Sequence, residues 1–131
     1  MSELVATMPF AARLGLRVES ATKDEVRGSL AWAEELCTAG GVLHGGALMA
    51  AADSLGALCA YLNLPEGAST ATIESKTNFF RAVREGTVSL VSAPLHVGRT
   101  SIVVQTELRN DERRIALVIQ TQAVQQVSGT S

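Results

Sequence analysis

Residues 44–62 read H-G-G-A-L-M-A-A-A-D-S-L-G-A-L-C-A-Y-L and decide the fold. After two glycines the stretch is rich in Ala, Leu and Met and contains no Pro, which predicts a helix from about His44 to Leu62. Its apolar character extends all the way round the helix axis, and such a helix is normally buried on every side. We therefore expect one long central helix that the rest of the chain encloses.

Segments that alternate between apolar and polar residues flank this helix and predict strands. Two precede it, at residues 16–20, where Leu16, Val18 and Ser20 share a face, and at residues 26–32. Those that follow are A-T-I-E-S-K-T-N-F-F-R (71–81), T-V-S-L-V-S-A-P-L-H-V (87–97), T-S-I-V-V-Q-T-E-L-R (100–109) and, after a turn at N-D-E-R, R-I-A-L-V-I-Q-T-Q-A-V (114–124). This order predicts an α+β fold, in which a curved antiparallel sheet of about 5–6 strands is wrapped around one long buried helix.

The ends of the chain complete this picture. Residues 3–14 favour a short helix that is interrupted at Pro9 and ends near Gly15. No internal repeat or linker divides the chain, so residues 1–131 are expected to form a single domain whose tail is frayed from about residue 127.

Composition excludes several classes of protein. With 11 basic and 13 acidic residues the net charge is -2, which gives no broad footprint for nucleic acid. The N-terminus does not resemble a signal peptide, and the longest apolar run falls short of the ~17–25 residues that cross a bilayer. Two cysteines are too few for a disulfide framework. We expect a cytoplasmic protein with reduced thiols, no membrane segment and no metal site, since His44 and His96 lack ligand spacing.

Asp53 is the one charged residue of the helical stretch. An ionised carboxylate among apolar residues is costly unless something compensates it. One interpretation is structural, with an Arg or Lys across the core as its partner. The other is functional, with Asp53 as a general base or nucleophile in a pocket beside the helix, and the poor helix propensity of Asp at this position favours the second.

The glycines before the helix offer a second candidate group. At the start of a helix the first backbone N–H groups have no partners, so the Gly45 N–H is suited to stabilise a carbonyl oxygen or an anion. A glycine-rich turn without a function is the alternative. Gly45 and Asp53 are eight residues apart, ~12 Å along a helix, so one helix cannot present both to the same carbonyl carbon. Two antiparallel helices from two protomers can, which predicts a site shared across a dimer.

Two further sets of residues are candidates for binding or catalysis. Arg81, Arg84 and Arg99 lie near strand ends and are either phosphate-binding guanidinium groups or ordinary solvated charges. A nucleophilic pairing of Cys37 with His44 or His96 is conceivable. The cysteines fit better as small buried hydrophobic residues.

The stretch H-G-G-A-L-M-A-A-A-D resembles the hotdog-fold acyl-CoA thioesterases, in particular the aryl-CoA and phenylacetyl-CoA thioesterase group. That group has an Asp or Glu nine positions after the His, as Asp53 follows His44 here. The resemblance continues through K-T-N-F-F-R-A-V-R-E-G and L-H-V-G-R-T and covers roughly residues 10–125. It implies the hotdog fold, a homodimer with a continuous sheet and usually a homotetramer of two such dimers.

The resemblance also implies roles for individual residues. Asp53 would be the base or nucleophile, the Gly45 N–H would polarise the thioester carbonyl, and His44 would orient the motif. Arg81, Arg99 and Thr100 match residues that meet the phosphates of CoA in relatives. Two positions depart from the family: Thr38 stands where an Asn or Gln is common and Ala82 replaces the usual Pro.

Together these patterns predict an acyl-CoA thioesterase, without a cofactor, that acts on a small aromatic or medium-chain acyl group. Two alternatives remain at this point. One is a hotdog module that binds acyl-CoA without hydrolysing it, which the replacement by Thr38 favours. The other is an enoyl-thioester hydratase, although such sites generally pair the acid with a His on the same motif, and no such pair is present around Asp53.

Overall fold

The long central helix of the computed structural model is α3 (Gly45–Tyr61), as the sequence predicts. The structure describes residues 2–126, so the predicted frayed tail lies outside the described residues. Two short helices, α1 (Ser2–Ala6) and α2 (Pro9–Leu14), open the chain. They confirm the interruption at Pro9, which occupies the first turn of α2, and Gly15 ends that helix with a left-handed φ of 90°.

Six strands form one sheet. They are β1 (Arg17–Ala21), β2 (Val26–Ala31), β3 (Ala68–Phe79), β4 (Thr87–Val97), β5 (Ser101–Asn110) and β6 (Arg113–Gln126). Their order in the sheet is β1-β2-β4-β5-β6-β3, and every neighbouring pair is antiparallel. Helix α3 packs on one face of this sheet against β2 to β6. The α+β prediction is confirmed, and the arrangement is that of the hotdog fold.

The core lies between α3 and the middle of the sheet. Most inward residues of β2, β4 and β5 are apolar and fully buried, as the period-2 alternation predicts: Val26, Leu30, Val88, Leu90, Ile102, Val104 and Leu108. Ser92 and Thr106 are the polar exceptions among the described residues of these strands, and their hydroxyl groups bond to each other. They pack against α3, on which Ala51, Ala52 and Leu55 are also 0% exposed. Burial of this apolar surface is the main force that fixes the helix on the sheet.

The inner face is different under the other flank of α3, where β3 and β6 lie. Thr70 and Thr72 of β3 pair with Val124 and Gln122 of β6, and further along Ser75 pairs with Gln120. Gln120 and Gln122 are 0% and 1% exposed. This end of the sheet therefore presents hydroxyl and amide groups to the helix instead of aliphatic side chains.

Two expectations about burial are wrong in detail. Ser20 is exposed, because a register shift in β1 between Val18 and Ser20 turns it away from the face that Val18 occupies. Helix α3 is not buried on every side, since Met49 is 40% exposed and Tyr61 is 60% exposed. Tyr61 lies beside Leu4 and Met8 at the rim of a cavity, and Met49 lies about three turns nearer the start of the helix.

Strand β3 forms one edge of the sheet in the described chain, where it pairs with β6 alone. It is 12 residues long, and a long edge strand leaves a row of backbone groups open to pairing with another chain. None of the helices within residues 2–126 combines the length and hydropathy that a membrane crossing requires.

Candidate active site

Asp53 lies on the partly exposed flank of α3, above the polar end of the sheet. Its Oδ1 accepts two hydrogen bonds, from Thr72 Oγ1 at 3.1 Å and from Gln120 Nε2 at 3.0 Å. No hydrogen bond within residues 2–126 reaches Oδ2. The expected Arg or Lys partner is therefore not what holds this carboxylate, and its surroundings are polar rather than the apolar wall that the helix sequence suggests.

Thr72 is the end of a longer chain of hydrogen bonds. Gln122 Nε2 donates to Thr72 Oγ1 at 2.7 Å, and Thr70 Oγ1 donates to Gln122 Oε1 at 3.1 Å. Because Thr72 accepts from Gln122, its own hydroxyl proton is free to point at Asp53. Every bond in the series thus donates in the direction of the Asp53 carboxylate.

Gln120 approaches the helix very closely. A Cβ placed on Gly56, one turn after Asp53, would overlap Gln120 Oε1, so only glycine leaves room for this amide. Gln120 Oε1 is buried and has no hydrogen-bond partner within the described residues. Buried oxygens without a partner are rare and costly, which makes this one a feature that needs a reason.

The start of α3 shows how the glycine-rich turn is used. His44 caps the helix, and its Nδ1 accepts a hydrogen bond from the Gly46 N–H at 2.7 Å. The N–H groups of Ala47 and Leu48 bond to the His44 carbonyl oxygen. In residues 2–126 no hydrogen bond uses the Gly45 N–H, so this donor remains available at the positive end of the helix dipole.

Thr38 and Gly45 line the same cavity of about 410 Å³, together with Phe79 and Arg81. The Phe79 ring lies against Gly45, since a Cβ there would be 3.1 Å from Phe79 Cζ. The structure thus brings together three of the predicted site residues, Thr38, Gly45 and Arg81, with His44 beside them as the helix cap. Asp53 lies two turns further along α3, ~12 Å away by helix geometry, and does not line this cavity.

Arg81 also borders a second cavity, of about 460 Å³, which Arg113 lines as well. Two arginines and one carboxylate, that of Asp111, line this cavity, so its lining carries one net positive charge. Arg84 points elsewhere, with Nη1 donating to the Gly40 carbonyl oxygen at 3.4 Å.

Arg99 and Thr100 lie at the opposite end of the sheet from Arg81. The Thr100 carbonyl oxygen accepts from the Val124 N–H at 3.0 Å, near the end of β6, whereas the Arg81 N–H donates to Ile115 near its start. Nine residues of strand separate these contacts, ~30 Å. Within one chain the structure does not bring Arg81 together with Arg99 and Thr100.

The cysteines do not form a nucleophilic site with a histidine. The Cys37 Sγ lies 3.4 Å from the Ala33 carbonyl oxygen, and partial desolvation, followed by the charges of Glu34 and Glu35, raises the pKa of its thiol. Burial raises the pKa of the Cys59 thiol to about 11. Neither thiol is thus predisposed to ionise. Across residues 2–126 no group of three His, Cys, Asp or Glu side chains is placed to hold a metal ion.

Thr72, Gln120, Gln122 and Arg113 are residues that sequence reasoning missed. A signal for the glutamines was present, because Ala116, Val118, Gln120, Gln122 and Val124 follow one another at period 2 on β6. Such a series predicts two amides on a core-facing surface, where a polar group requires a partner.

Comparison with known proteins identifies the family of the chain. The sequence profile of the Thioesterase superfamily matches residues 40–117, which is more than half of the chain. The chain belongs to the Thioesterase superfamily. This membership confirms the predicted family and assigns the chain to the thioester hydrolases. It therefore favours hydrolysis over the non-hydrolytic binding module and the enoyl-thioester hydratase.

Individual relatives support the same family. The chain is 28% identical to a mutant of thioesterase PA1618 from Pseudomonas aeruginosa, with a TM-score of 0.89 over 95% of this chain and 92% of that one. It is 26% identical to thioesterase HI1161 from Haemophilus influenzae, with a TM-score of 0.86 over 93% and 87% of the two chains. The proofreading thioesterase EntH of Cronobacter sakazakii is 43% identical over 61 residues, which are 47% of this chain and 44% of that protein.

Proposed function

We propose that this thioesterase, as a single domain over residues 1–131, hydrolyses acyl-CoA, with Asp53 as the general base or nucleophile and the Gly45 N–H as the oxyanion donor. The observation that carries the proposal is the state of the Asp53 carboxylate. Two donors hold Oδ1, and among residues 2–126 Oδ2, on the partly exposed flank of α3, has no hydrogen-bond partner. A carboxylate that is fixed at one oxygen and open at the other is suited to take a proton or to attack.

The reaction needs few groups. As a base, Asp53 takes a proton from water while the water oxygen attacks the thioester carbonyl carbon. The carbonyl electrons move to the oxygen, where the unpaired Gly45 N–H stabilises the charge. Collapse of this intermediate breaks the C–S bond, and the departing CoA thiolate receives the proton. As a nucleophile, Asp53 instead displaces the thiolate to form a mixed anhydride, which water then hydrolyses.

The distance between Asp53 and Gly45 supports a homodimer as the active form. Pairing of two β3 edges about a two-fold axis would make the sheet continuous and set the two α3 helices antiparallel, so that each Gly45 faces the Asp53 of the second copy. The exposed side chains of Ile73 (65%) on β3 and Met49 (40%) on α3 fit such an interface. In this arrangement the Arg99 and Thr100 end of one sheet approaches the Arg81 end of the other, and two such dimers would form the homotetramer.

Two cavities support the division of the substrate into CoA and acyl parts. Arg81 and Arg113, at the 460 Å³ cavity, are suited to the phosphates of CoA. Another cavity, of about 390 Å³, includes Ala57, one helical turn beyond Asp53, in its lining, which is otherwise formed by Leu4, Thr7, Met8, Leu58 and Tyr61. Its size and lining favour a small aromatic or medium-chain acyl group.

Release of thiol from a panel of short, medium, long and aromatic acyl-CoAs tests the proposal. We expect Asp53→Asn to lose ~100-fold or more of the turnover, whereas Asp24→Asn, at an exposed carboxylate between β1 and β2, keeps it. Turnover by Asp53→Asn close to that of the wild type would show that another group does the chemistry. Absence of thiol release from every acyl-CoA by the wild type would point instead to thioesters of a carrier protein.

The acyl cavity has a test of its own. Ala57→Leu adds three carbon atoms at the mouth of that cavity, so we expect turnover of medium-chain and aromatic substrates to fall much more than turnover of acetyl-CoA. An equal loss for all chain lengths would place the acyl group elsewhere.

A further inference from the structure

We infer that Gln120 and Thr72 are positioning residues that hold the Asp53 carboxylate in its reactive orientation, and that Gln122 positions Thr72 in turn. This inference rests on the proposed function, because it treats Asp53 as the reacting group. It adds three residues, none of them adjacent to Asp53 in sequence, to the residues on which turnover depends.

The first argument is the direction of the hydrogen bonds. Both partners of Asp53 Oδ1 are donors, the amide of Gln120 at 3.0 Å and the hydroxyl of Thr72 at 3.1 Å. Since Gln122 Nε2 donates to Thr72 Oγ1 at 2.7 Å, the Thr72 proton is committed to Asp53. Oδ1 is thereby fully used as an acceptor, and the oxygen left to react is Oδ2.

The second argument is the cost of the arrangement. Gln120 is 0% exposed, and its Oε1 has no partner within the described residues. A methionine of similar size would fill the same space without an unsatisfied oxygen, so burial alone does not account for glutamine here. The side of the amide that is satisfied is the one that donates to Asp53. This is the pattern expected when a buried polar group is retained to orient another group.

The third argument concerns the fit of the helix against the strand. Gly56 lies three residues after Asp53 and is the point at which Gln120 Oε1 meets α3. A side chain at that position would displace the amide. The close approach of helix and strand therefore sets where the Gln120 donor lies relative to the Asp53 carboxylate, and small displacements of a reacting group have large effects on rate.

Matched substitutions separate positioning from structural support. Thr72→Val and Gln120→Met keep the size of the side chain but remove the donor to Asp53, whereas Thr72→Ser keeps the hydroxyl. For Thr72→Val and Gln120→Met we expect kcat to fall ~10- to 100-fold with KM changed less than about threefold, and for Thr72→Ser we expect kcat within about threefold of wild type. Gln122 is one hydrogen bond further from Asp53, so the kcat of Gln122→Met should lie between that of Thr72→Val and that of Thr72→Ser.

Thr106→Val is the control for loss of a buried hydroxyl. Thr106 is 0% exposed on the same sheet, and its hydroxyl bonds to Ser92 Oγ at 2.6 Å rather than to Asp53. We expect this variant to lose thermal stability but to retain kcat. If Thr106→Val lowers kcat as much as Thr72→Val does, the effect is general loosening of the fold and the inference is wrong.

A measurement without substrate keeps this inference separate from the proposed function. The NMR spectra of the wild type and of Asp53→Asn should differ at the Gln120 side-chain amide protons, because the substitution removes a charge-assisted hydrogen bond. The Gln105 amide on β5 should not move. If the Gln120 resonances are the same in both spectra, the inference is wrong and the proposed function is unaffected. The same holds if Gln120→Met and Thr72→Val have wild-type kcat while Asp53→Asn is inactive. Full activity of Asp53→Asn overturns the proposed function and the inference together.

Discussion

Gly56 of α3 and Gln120 of β6 touch so closely that a Cβ on the glycine would overlap the amide oxygen of the glutamine. The two residues are buried and lie on elements that the sequence places far apart. Their contact is where the helix that carries Asp53 comes nearest to the strand that carries its hydrogen-bond donor. It therefore couples the packing of the core to the geometry of the carboxylate.

A double-mutant cycle on this pair measures that coupling. Gly56→Ala gains ~1 kcal/mol of helix propensity but overpacks the contact, which costs ~1–3 kcal/mol, so we expect a net decrease in the free energy of unfolding. In the Gln120→Ala background the overlap is gone, and the same change should become neutral or stabilising. Denaturant unfolding of the wild type, the two single variants and the double variant gives the coupling energy. If the two substitutions change the free energy of unfolding additively, the close contact is contradicted.

The cysteine within the core offers a prediction about pH. Burial raises the pKa of the Cys59 thiol from an ordinary value of 9.0 to about 11. Between these values the unfolded chain loses the proton and the folded chain keeps it, so stability is fully present below about pH 9 and decreases as the pH rises towards 11. The loss from this group is at most ~2–3 kcal/mol. Urea unfolding at pH 8 and pH 10 measures this loss as the difference between wild type and Cys59→Ala in how the free energy of unfolding changes with pH. An equal change in both proteins would show that Cys59 does not contribute.

The sequence predicted the elements of the fold well because their signals are local. Alternation along residues 102–108 appears in the structure as Ile102, Val104, Thr106 and Leu108, all 0% exposed. The Ala-rich run after His44 is likewise the long helix. These patterns depend on the period of helix and strand and not on which strands become neighbours.

The surroundings of Asp53 could not be predicted in the same way. They depend on the pairing of β3 with β6, which matches Thr72 to Gln122, and on which flank of α3 faces that pair. Register is a property of the whole sheet and no local period reports it. The same reason explains Arg81 and Arg99, both of which lie near strand ends, but at opposite ends of the sheet.

The unpaired N–H of Gly45 leads to a matched pair of substitutions. Gly45 is the first residue of α3, a position where proline is well tolerated, so Gly45→Pro removes the donor while keeping the helix. Gly45→Ala adds the same Cβ next to the Phe79 ring but keeps the N–H. We expect kcat of Gly45→Pro to be ~100-fold or more below that of Gly45→Ala. Equal kcat values for the two variants would mean that the Gly45 N–H does not contribute to turnover.

A site shared between two protomers predicts rescue by mixing inactive chains. Asp53→Asn and Gly45→Pro each remove one group from both sites of a homodimer. In a mixed dimer, one site carries both substitutions and the other carries neither, provided that Asp53 and Gly45 come from different chains. Unfolding and refolding the variants together at equal concentration should therefore restore about a quarter of the wild-type activity, since half of the dimers are mixed and each has one intact site. If both groups came from the same chain, every site in every dimer would carry one substitution, and refolding the mixture would restore no activity.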